Sequence, residues 1–281
     1  LLTDVSDPVD SLPPLREIIR DHGLRAEKKL GQNFLLDLNL TGKIARAAGD
    51  LSGTVFEIGP GPGGLTRAIL KSGAPRVVAI EYDPRAIGAL QSLCEAAEGR
   101  LEILHADALE TDMTALGYQG PYHVVANLPY NIATPLLTGW MRQVRAGHAL
   151  ASFTLMFQKE VAQRIVAPPD SAAYGRLAVL CQWLCNAKLL FNVPASAFTP
   201  PPKVTSSIVR LVPRVLQADA PPMEAVERVT AAAFGQRRKM IRSSMKAYLP
   251  AVEQLGIDPT KRAEALSVDE FIAIAAISAR P

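Results

Sequence analysis

The sequence predicts an α/β fold: a Rossmann-like, mostly parallel sheet with helices on both faces, followed by a small C-terminal all-helical domain. Three observations predict it. Short apolar runs alternate with segments of helical period between about residues 54 and 165. The first run ends in a glycine-rich turn that opens a helix, and later runs end at Glu81, Asp107 and Asn127. Beyond about residue 215 only helical patterns remain.

Taken in order, Leu1–Pro14 carries Asp4, Asp7 and Asp10 and no basic residue, the wrong charge for a secretion or transit signal, and is expected to be a mobile leader (1–14). Leu15–Gly23 reads as a helix, Lys28–Leu36 (KKLGQNFLL) as a basic and then apolar segment, and Thr41–Ala48 as a helix. Thr54–Ile58 reads as a strand. Gly64–Lys71 follows as a helix with Leu65, Ala68 and Ile69 on one face. Val77–Ile80, Leu101–Leu104, Tyr122–Ala126 and Ala151–Phe157 are further strands, with a helix over Ala86–Ala97. Lys159–Ile165 and Leu177–Cys185 are expected as helices, and Lys188–Val193 and Ser206–Val212 as strands about a Pro-rich connection. After a linker near Gln217–Pro222, helical patterns cover Glu224–Phe234, Gln236–Tyr248, Ala251–Leu255 and Val268–Ile277. The expected domains are 15–214 and 215–281.

At 281 residues, 48% hydrophobic and 20% charged, the chain has the apolar content for a sizeable core. No run reaches the ~18–20 apolar residues that span a bilayer, so no membrane segment is expected and the cytoplasm is the default address. Cys94, Cys181 and Cys185 are too few and odd in number for a disulfide framework. Cys181 and Cys185 sit i, i+4, but His22, His105, His123 and His148 fall in no usual ligand spacing, so buried thiols and no metal are expected. The net charge of +3 hides a local excess: between Lys203 and Lys246 lie nine basic residues and three acidic ones, and five basics with no acid fall in Arg237–Lys246. Such a field attracts polyanions.

Glu57-Ile58-Gly59-Pro60-Gly61-Pro62-Gly63-Gly64 lies between a strand and a helix, the context in which glycines let backbone approach a nucleotide. Glu81 follows Gly63 by 18 residues, where a carboxylate accepts from both hydroxyls of a ribose. Asp107 is suited to accept an exocyclic adenine amine. These residues mark a nucleotide pocket at the carboxyl edge of the sheet, and they suit NAD and S-adenosylmethionine equally. The Asn127-Leu128-Pro129-Tyr130 segment narrows the choice. An aromatic amine is planar and a poor nucleophile because its lone pair is delocalised. The Asn127 side-chain oxygen and the Leu128 carbonyl, with Pro129 fixing the backbone, suit acceptors that hold its N–H groups and turn the lone pair toward a methyl donor. Tyr130 offers a face for stacking the base.

Here the chain resembles the bacterial ribosomal RNA adenine dimethyltransferases, the KsgA (RsmA) family, over nearly its whole length. The matching stretches include KKLGQNFL at 28–35, FEIGPGPGGLT at 56–66, EYDP at 81–84, NLPYNI at 127–132, VPASAFTPPPKVTSS at 193–207 and FGQRRKMIR at 234–242. The resemblance implies a class I methyltransferase sheet in 15–214 that binds S-adenosyl-L-methionine through Asn33, Leu35, Gly59, Gly61, Glu81, Asp107 and Asn127. It implies that Tyr130 faces the substrate and that Phe198 stacks on the target base from the other side. It also implies a substrate: two adjacent adenosines near the 3′ end of small-subunit (16S) rRNA, each methylated twice at N6, in a pre-30S particle. Lys28, Lys29, Lys203, Arg237, Arg238, Lys239, Arg242 and Lys246 are the expected phosphate contacts. Arg238, Arg242 and Lys246 would share a helix face at i, i+4 and i, i+8. No heptad pattern argues for an oligomer, so a monomer is expected.

Three other readings compete. A macrolide-resistance methyltransferase acting on large-subunit rRNA shares the fold, but the VPASAFTPPPKV segment and helical domain fit it less well. An NAD oxidoreductase leaves NLPY without a role. A ribosome-assembly factor whose main output is binding is compatible with the same catalytic residues.

Overall fold

The structure is a computed structural model that describes residues 7–27 and 30–279. The chain forms helix α1 (Leu15–Asp21), the short strand β1 (Phe34–Leu35) and helix α2 (Leu38–Ala47). Asp37 starts α2 by accepting from the amides of Asn39 and Leu40. The expected alternation follows: β2 (Thr54–Ile58), α3 (Gly64–Lys71), β3 (Arg76–Glu81), α4 (Pro84–Ala89), α5 (Gln91–Ala96), β4 (Leu101–His105) and β5 (Tyr122–Asn127). Next come α6 (Ala133–Arg145), β6 (Leu150–Gln158), α7 (Lys159–Val166), α8 (Arg176–Leu184), β7 (Cys185–Val193), β8 (Phe198–Thr199) and β9 (Ser206–Pro213). Helices α9 (Met223–Phe234), α10 (Ile241–Ser244), α11 (Leu249–Gln254) and α12 (Val268–Ser278) complete the order.

The main sheet has seven strands in the order β4-β3-β2-β5-β6-β9-β7, and β1 pairs with β8 in a separate two-stranded ribbon. The β4-β3-β2-β5-β6 pairings are parallel. Every residue of β2 is buried, as is all of β3 after Arg76, which is why these strands read as continuous apolar runs rather than alternating ones. Successive connections depart in opposite directions from β2 and β5. That reversal opens a crevice beyond the carboxyl ends of these two strands, where open α/β sheets bind ligands.

The chain divides into two compact units. The first runs to Trp140 and takes in His148–Lys159 and Leu190–Arg210. Its core joins Ile44, Val55, Leu65, Ile69, Val77, Val125 and Met156. The second comprises Met141–Gly147, Glu160–Leu189 and the residues from Leu211 onward. Within it Tyr174, Phe234 and Phe271 form an aromatic chain with centroid separations of 5.8 and 5.4 Å. Ser267 and Glu270 form a capping box that starts α12. Cys181 and Cys185 are buried free thiols, and burial pushes Cys185 up to about 12.

The structure corrects several expectations. Residues 8–14 are not a loose leader: Asp7 caps a 3-10 turn over Pro8–Ser11, Val9 is buried, Asp10 pairs with Lys71, and Arg67 donates to the Pro13 carbonyl at 2.9 Å. An apolar anchor and buried-guanidinium bonding hold what charge alone suggested was free; residues 1–6 lie outside the described residues. The second unit is not confined to 215–281, because segments 141–147 and 160–189 belong to it. The expected helix over 86–97 is two helices, α4 and α5, that meet at Leu90. Helix α6 was not expected, although Leu136, Leu137, Trp140, Met141 and Val144 form its buried stripe. Gln236–Tyr248 is not one helix. Met240 is extended and bridges Arg262, and the amides of Ile241 and Arg242 bond the Lys261 and Pro259 carbonyls instead of the preceding turn.

Candidate active site

The crevice beyond β2 and β5 is a cleft lined by Leu30–Leu35, the glycine loop, the ends of β3 and β4, and residues 127–132. Asn33, Leu35, Gly59, Gly61, Glu81, Asp107, Asn127, Leu128, Pro129 and Tyr130 all line it, so residues almost 100 positions apart meet in one place.

The glycine loop has to turn sharply. Gly61 adopts φ +54°, which L side chains rarely adopt, and a Cβ on it would come within 3.0 Å of the Phe34 ring. Its amide donates to Glu81 Oε2 at 3.2 Å, and the Asp83 amide donates to Glu81 Oε1 at 2.8 Å. Burial raises the Glu81 carboxyl, and these backbone donors oppose that shift. Asp107 is half-buried in the turn after β4, with Oδ1 accepting from the Leu109 amide at 2.8 Å.

The loop after β5 forms another wall of the cleft. The Asn127 amide group donates from Nδ2 to the Asn33 carbonyl at 3.1 Å. Because a carbonyl only accepts, this bond fixes which end of the side chain is oxygen and leaves Oδ1 as the end available to a ligand. Leu128 is buried while Tyr130 is half-buried. The Tyr130 hydroxyl bonds the buried Ser206 Oγ at 2.6 Å, which ties the ring to the start of β9, and burial holds the phenol above its ordinary pKa.

Phe198, expected to stack on the target base, packs into the core. It is 3% exposed, belongs to the core cluster with Leu35, Val193 and Ile208, and does not line the cleft. Its backbone pairs with that of Leu35, a cleft-lining residue, across the β1-β8 ribbon. Lys203, Arg237, Arg238, Lys239, Arg242 and Lys246 are exposed, while Lys28 and Lys29 lie outside the described residues. Arg237 donates through Nη2 to the Ala172 and Tyr174 carbonyls at 3.2 and 2.8 Å, which gives it a structural task. With residues 236–248 broken into turns and short helices, the shared face of Arg238, Arg242 and Lys246 does not form.

The sequence reading passed over Glu57, Gln32, Asp83 and Ser206. Glu57 lines the cleft and is 1% exposed; its Oε2 has no hydrogen-bond partner. Burial pushes this carboxyl up to about 8; the nearby Thr66 hydroxyl opposes the shift and the Glu81 charge adds to it. An acid inside the otherwise apolar run TVFEI was the available signal.

The cleft fits S-adenosylmethionine. It presents an unpartnered buried carboxyl oxygen, an oriented carboxylate at the β3 end, a further carboxylate after β4 and a loop of glycines and prolines whose backbone a ligand can approach.

Comparison with known proteins agrees with this geometry. The profile of the family described as ribosomal RNA adenine dimethylase matches residues 23–280. The ribosomal RNA small subunit methyltransferase A of Mesorhizobium japonicum is 58% identical over 272 residues, covering 94% of this chain and 97% of its own. A crystal structure of a dimethyladenosine transferase from Plasmodium falciparum is similar with a TM-score of 0.71 and 27% identity, over 85% of this chain and 94% of that one. That of the 23S rRNA methyltransferase ErmE matches the fold with a TM-score of 0.67 and 23% identity, over 86% of this chain and 98% of that one.

Proposed function

The chain belongs to the ribosomal RNA adenine dimethylase family, and from that premise we propose that it methylates N6 of two adjacent adenosines near the 3′ end of 16S rRNA, giving N6,N6-dimethyladenosine. Its partner is small-subunit rRNA in a pre-30S particle, met by a cytoplasmic monomer during small-subunit maturation. No helix among the described residues is long and apolar enough to cross a membrane.

S-adenosyl-L-methionine, when bound, supplies the electrophilic methyl group, and S-adenosyl-L-homocysteine is the product. The residues that would hold it are Asn33, Leu35, Gly59, Gly61, Glu81, Asp107 and Asn127. Glu81, oriented by backbone amides, would accept from its ribose hydroxyls, and Asp107 would accept from its adenine amine.

The protein's chemical task is to present a flat, weakly nucleophilic nitrogen. Asn127 Oδ1 and the Leu128 carbonyl accept the two N–H groups and favour a pyramidal nitrogen whose lone pair points along the transfer line. Neither group needs to remove a proton first; the proton leaves for water once nitrogen carries positive charge. Pro129 has no amide hydrogen and a fixed φ, so the Leu128 carbonyl keeps its direction. Tyr130, tethered through Ser206, stacks on the extruded base. After one transfer, the remaining N–H is held by one acceptor, and rotation about the C6–N6 bond readmits the amine.

The single observation that carries this reading is the Asn127 amide, fixed by Asn33 at the crevice with its oxygen left for a ligand. Purified protein is expected to transfer labelled methyl to unmethylated small-subunit particles and to leave large-subunit rRNA unlabelled. Label confined to large-subunit rRNA would favour the macrolide-resistance reading, and tight particle binding without transfer would favour the assembly-factor reading.

A further inference from the structure

The Leu30–Leu35 segment is fastened to three walls of the cleft. Its Phe34 ring lies against Gly61 in the glycine loop. Gly31, at φ +64°, faces the loop after β5 so closely that a Cβ would stand 2.8 Å from Asn131 Oδ1 and 3.5 Å from Pro129 Cβ. Next to it, the Asn33 carbonyl receives the Asn127 amide.

The third fastening is at the end of β3. Gln32 Nε2 donates to Asp83 Oδ2 at 2.9 Å, while Gln32 Oε1 accepts from the Glu27 amide at 3.0 Å. Both bonds require the same orientation of the Gln32 amide, so each reinforces the other. Asp83 is itself immobilised. It is 3% exposed, and Arg85 grips it with Nε to Oδ1 at 3.0 Å and Nη2 to Oδ2 at 2.6 Å. Arg85 also reaches Glu27 Oε1 at 3.0 Å. The Arg85 contact draws the Asp83 carboxyl down to about 2, so it stays a charged acceptor across the working pH range.

We propose that Gln32 is a positioning residue for methyl transfer: by anchoring the Leu30–Leu35 segment to Asp83, it sets the Asn33 carbonyl that orients the Asn127 amide. The inference rests on the methyltransferase reading and adds to it a residue that acts through Asn127. Gln32 and Asn33 are consecutive, so release of one displaces the other. A misplacement of about 1 Å at a reacting group costs on the order of 10²-fold in rate.

The test compares Gln32→Leu, which removes both hydrogen bonds at similar size, in the wild-type and Asn127→Ala backgrounds. Single-turnover methyl transfer to unmethylated small-subunit particles is measured with saturating S-adenosylmethionine, and melting temperature is recorded for every variant. In the wild-type background, Gln32→Leu is expected to slow transfer about 10- to 100-fold. In the Asn127→Ala background the same substitution is expected to cost less than threefold, because the amide it orients is gone. Equal losses in both backgrounds would show a general structural contribution and overturn the proposal, as would an unchanged rate in the wild-type background. Should Gln32→Leu fail to fold, Gln32→Met, which also removes both hydrogen bonds, takes its place and is read by the same comparison in the two backgrounds. Inactive wild-type protein would instead overturn the methyltransferase reading on which it depends, so the two failures are distinguishable.

Discussion

Replacing Asn127 by Ala weighs its part in the chemical step against its part in holding the donor. The substitution removes two things: the Oδ1 acceptor proposed for the target amine, and the Nδ2 donor that bonds the Asn33 carbonyl at 3.1 Å. A preorganised polar group aimed at a developing charge is worth about 10²–10³ in rate, or about 2.7–4 kcal/mol. The orphaned Asn33 carbonyl is half-buried at the rim of the cleft, where water can replace the lost donor, so the stability loss is about 1 kcal/mol and a few degrees in melting temperature. Single-turnover transfer from labelled S-adenosylmethionine to unmethylated small-subunit particles should therefore fall about 10²- to 10³-fold. Donor affinity, measured by calorimetry, should weaken far less than the rate. An Asn127→Asp control should not rescue, since it sets an oxygen against the Asn33 carbonyl and loses the amide tether. A rate within threefold of wild type in Asn127→Ala, with the fold intact, would refute the acceptor role.

Further predictions follow from the same geometry. Tyr130→Ala should raise the KM for RNA about 5- to 150-fold, the value of one base–aromatic stack of about 1–3 kcal/mol, while Tyr130→Phe should stay within about threefold because the ring remains; equal losses would mean that the hydroxyl, not the face, matters. Glu57 has its folded pKa raised to about 8 from an ordinary value of 4.5, so the stability it contributes is fully present below about 4.5 and is lost as pH rises through about 8. Thermal melts from pH 5 to 9 should show Glu57→Gln losing less stability than wild type across that window; parallel curves would contradict the buried neutral acid. Arg238→Glu with Arg242→Glu should weaken particle binding and lower the salt slope by about 1.5, whereas Arg237→Ala should mainly lower melting temperature because its guanidinium holds the Ala172 and Tyr174 carbonyls. An unchanged salt slope in the double variant would remove those two arginines from the RNA interface.

The centre of the sheet was legible because β2, β3, β5 and β6 are buried on both faces along nearly their whole length. Thr54–Ile58 and Gly64–Lys71 end where the sequence pattern ends, since a continuous apolar run bounded by glycines allows few alternatives. The ten residues expected at the cleft, from Asn33 to Tyr130, line it because each lies in or just beyond a strand end, or in the Leu30–Leu35 segment before α2. What was not legible depends on contacts distant in sequence. Nothing near Met240 announces its bridge to Arg262, so a helical pattern over 236–248 was overridden by tertiary hydrogen bonds. Phe198 carries a motif position but pairs with Leu35 and fills the core, which only the β1-β8 ribbon reveals. Gln32 looked like one polar residue in KKLGQNFLL; its partner Asp83 is 51 positions away.

The measurement closest to the chemistry is a crystal structure of the protein with S-adenosyl-L-homocysteine and an adenosine-containing RNA. Asn127 Oδ1 and the Leu128 carbonyl should both stand within hydrogen-bond distance of N6, with the Tyr130 ring against the base and the sulfur on the far side of the nitrogen. A base seated elsewhere, with Asn127 Oδ1 turned into the protein, would contradict the mechanism.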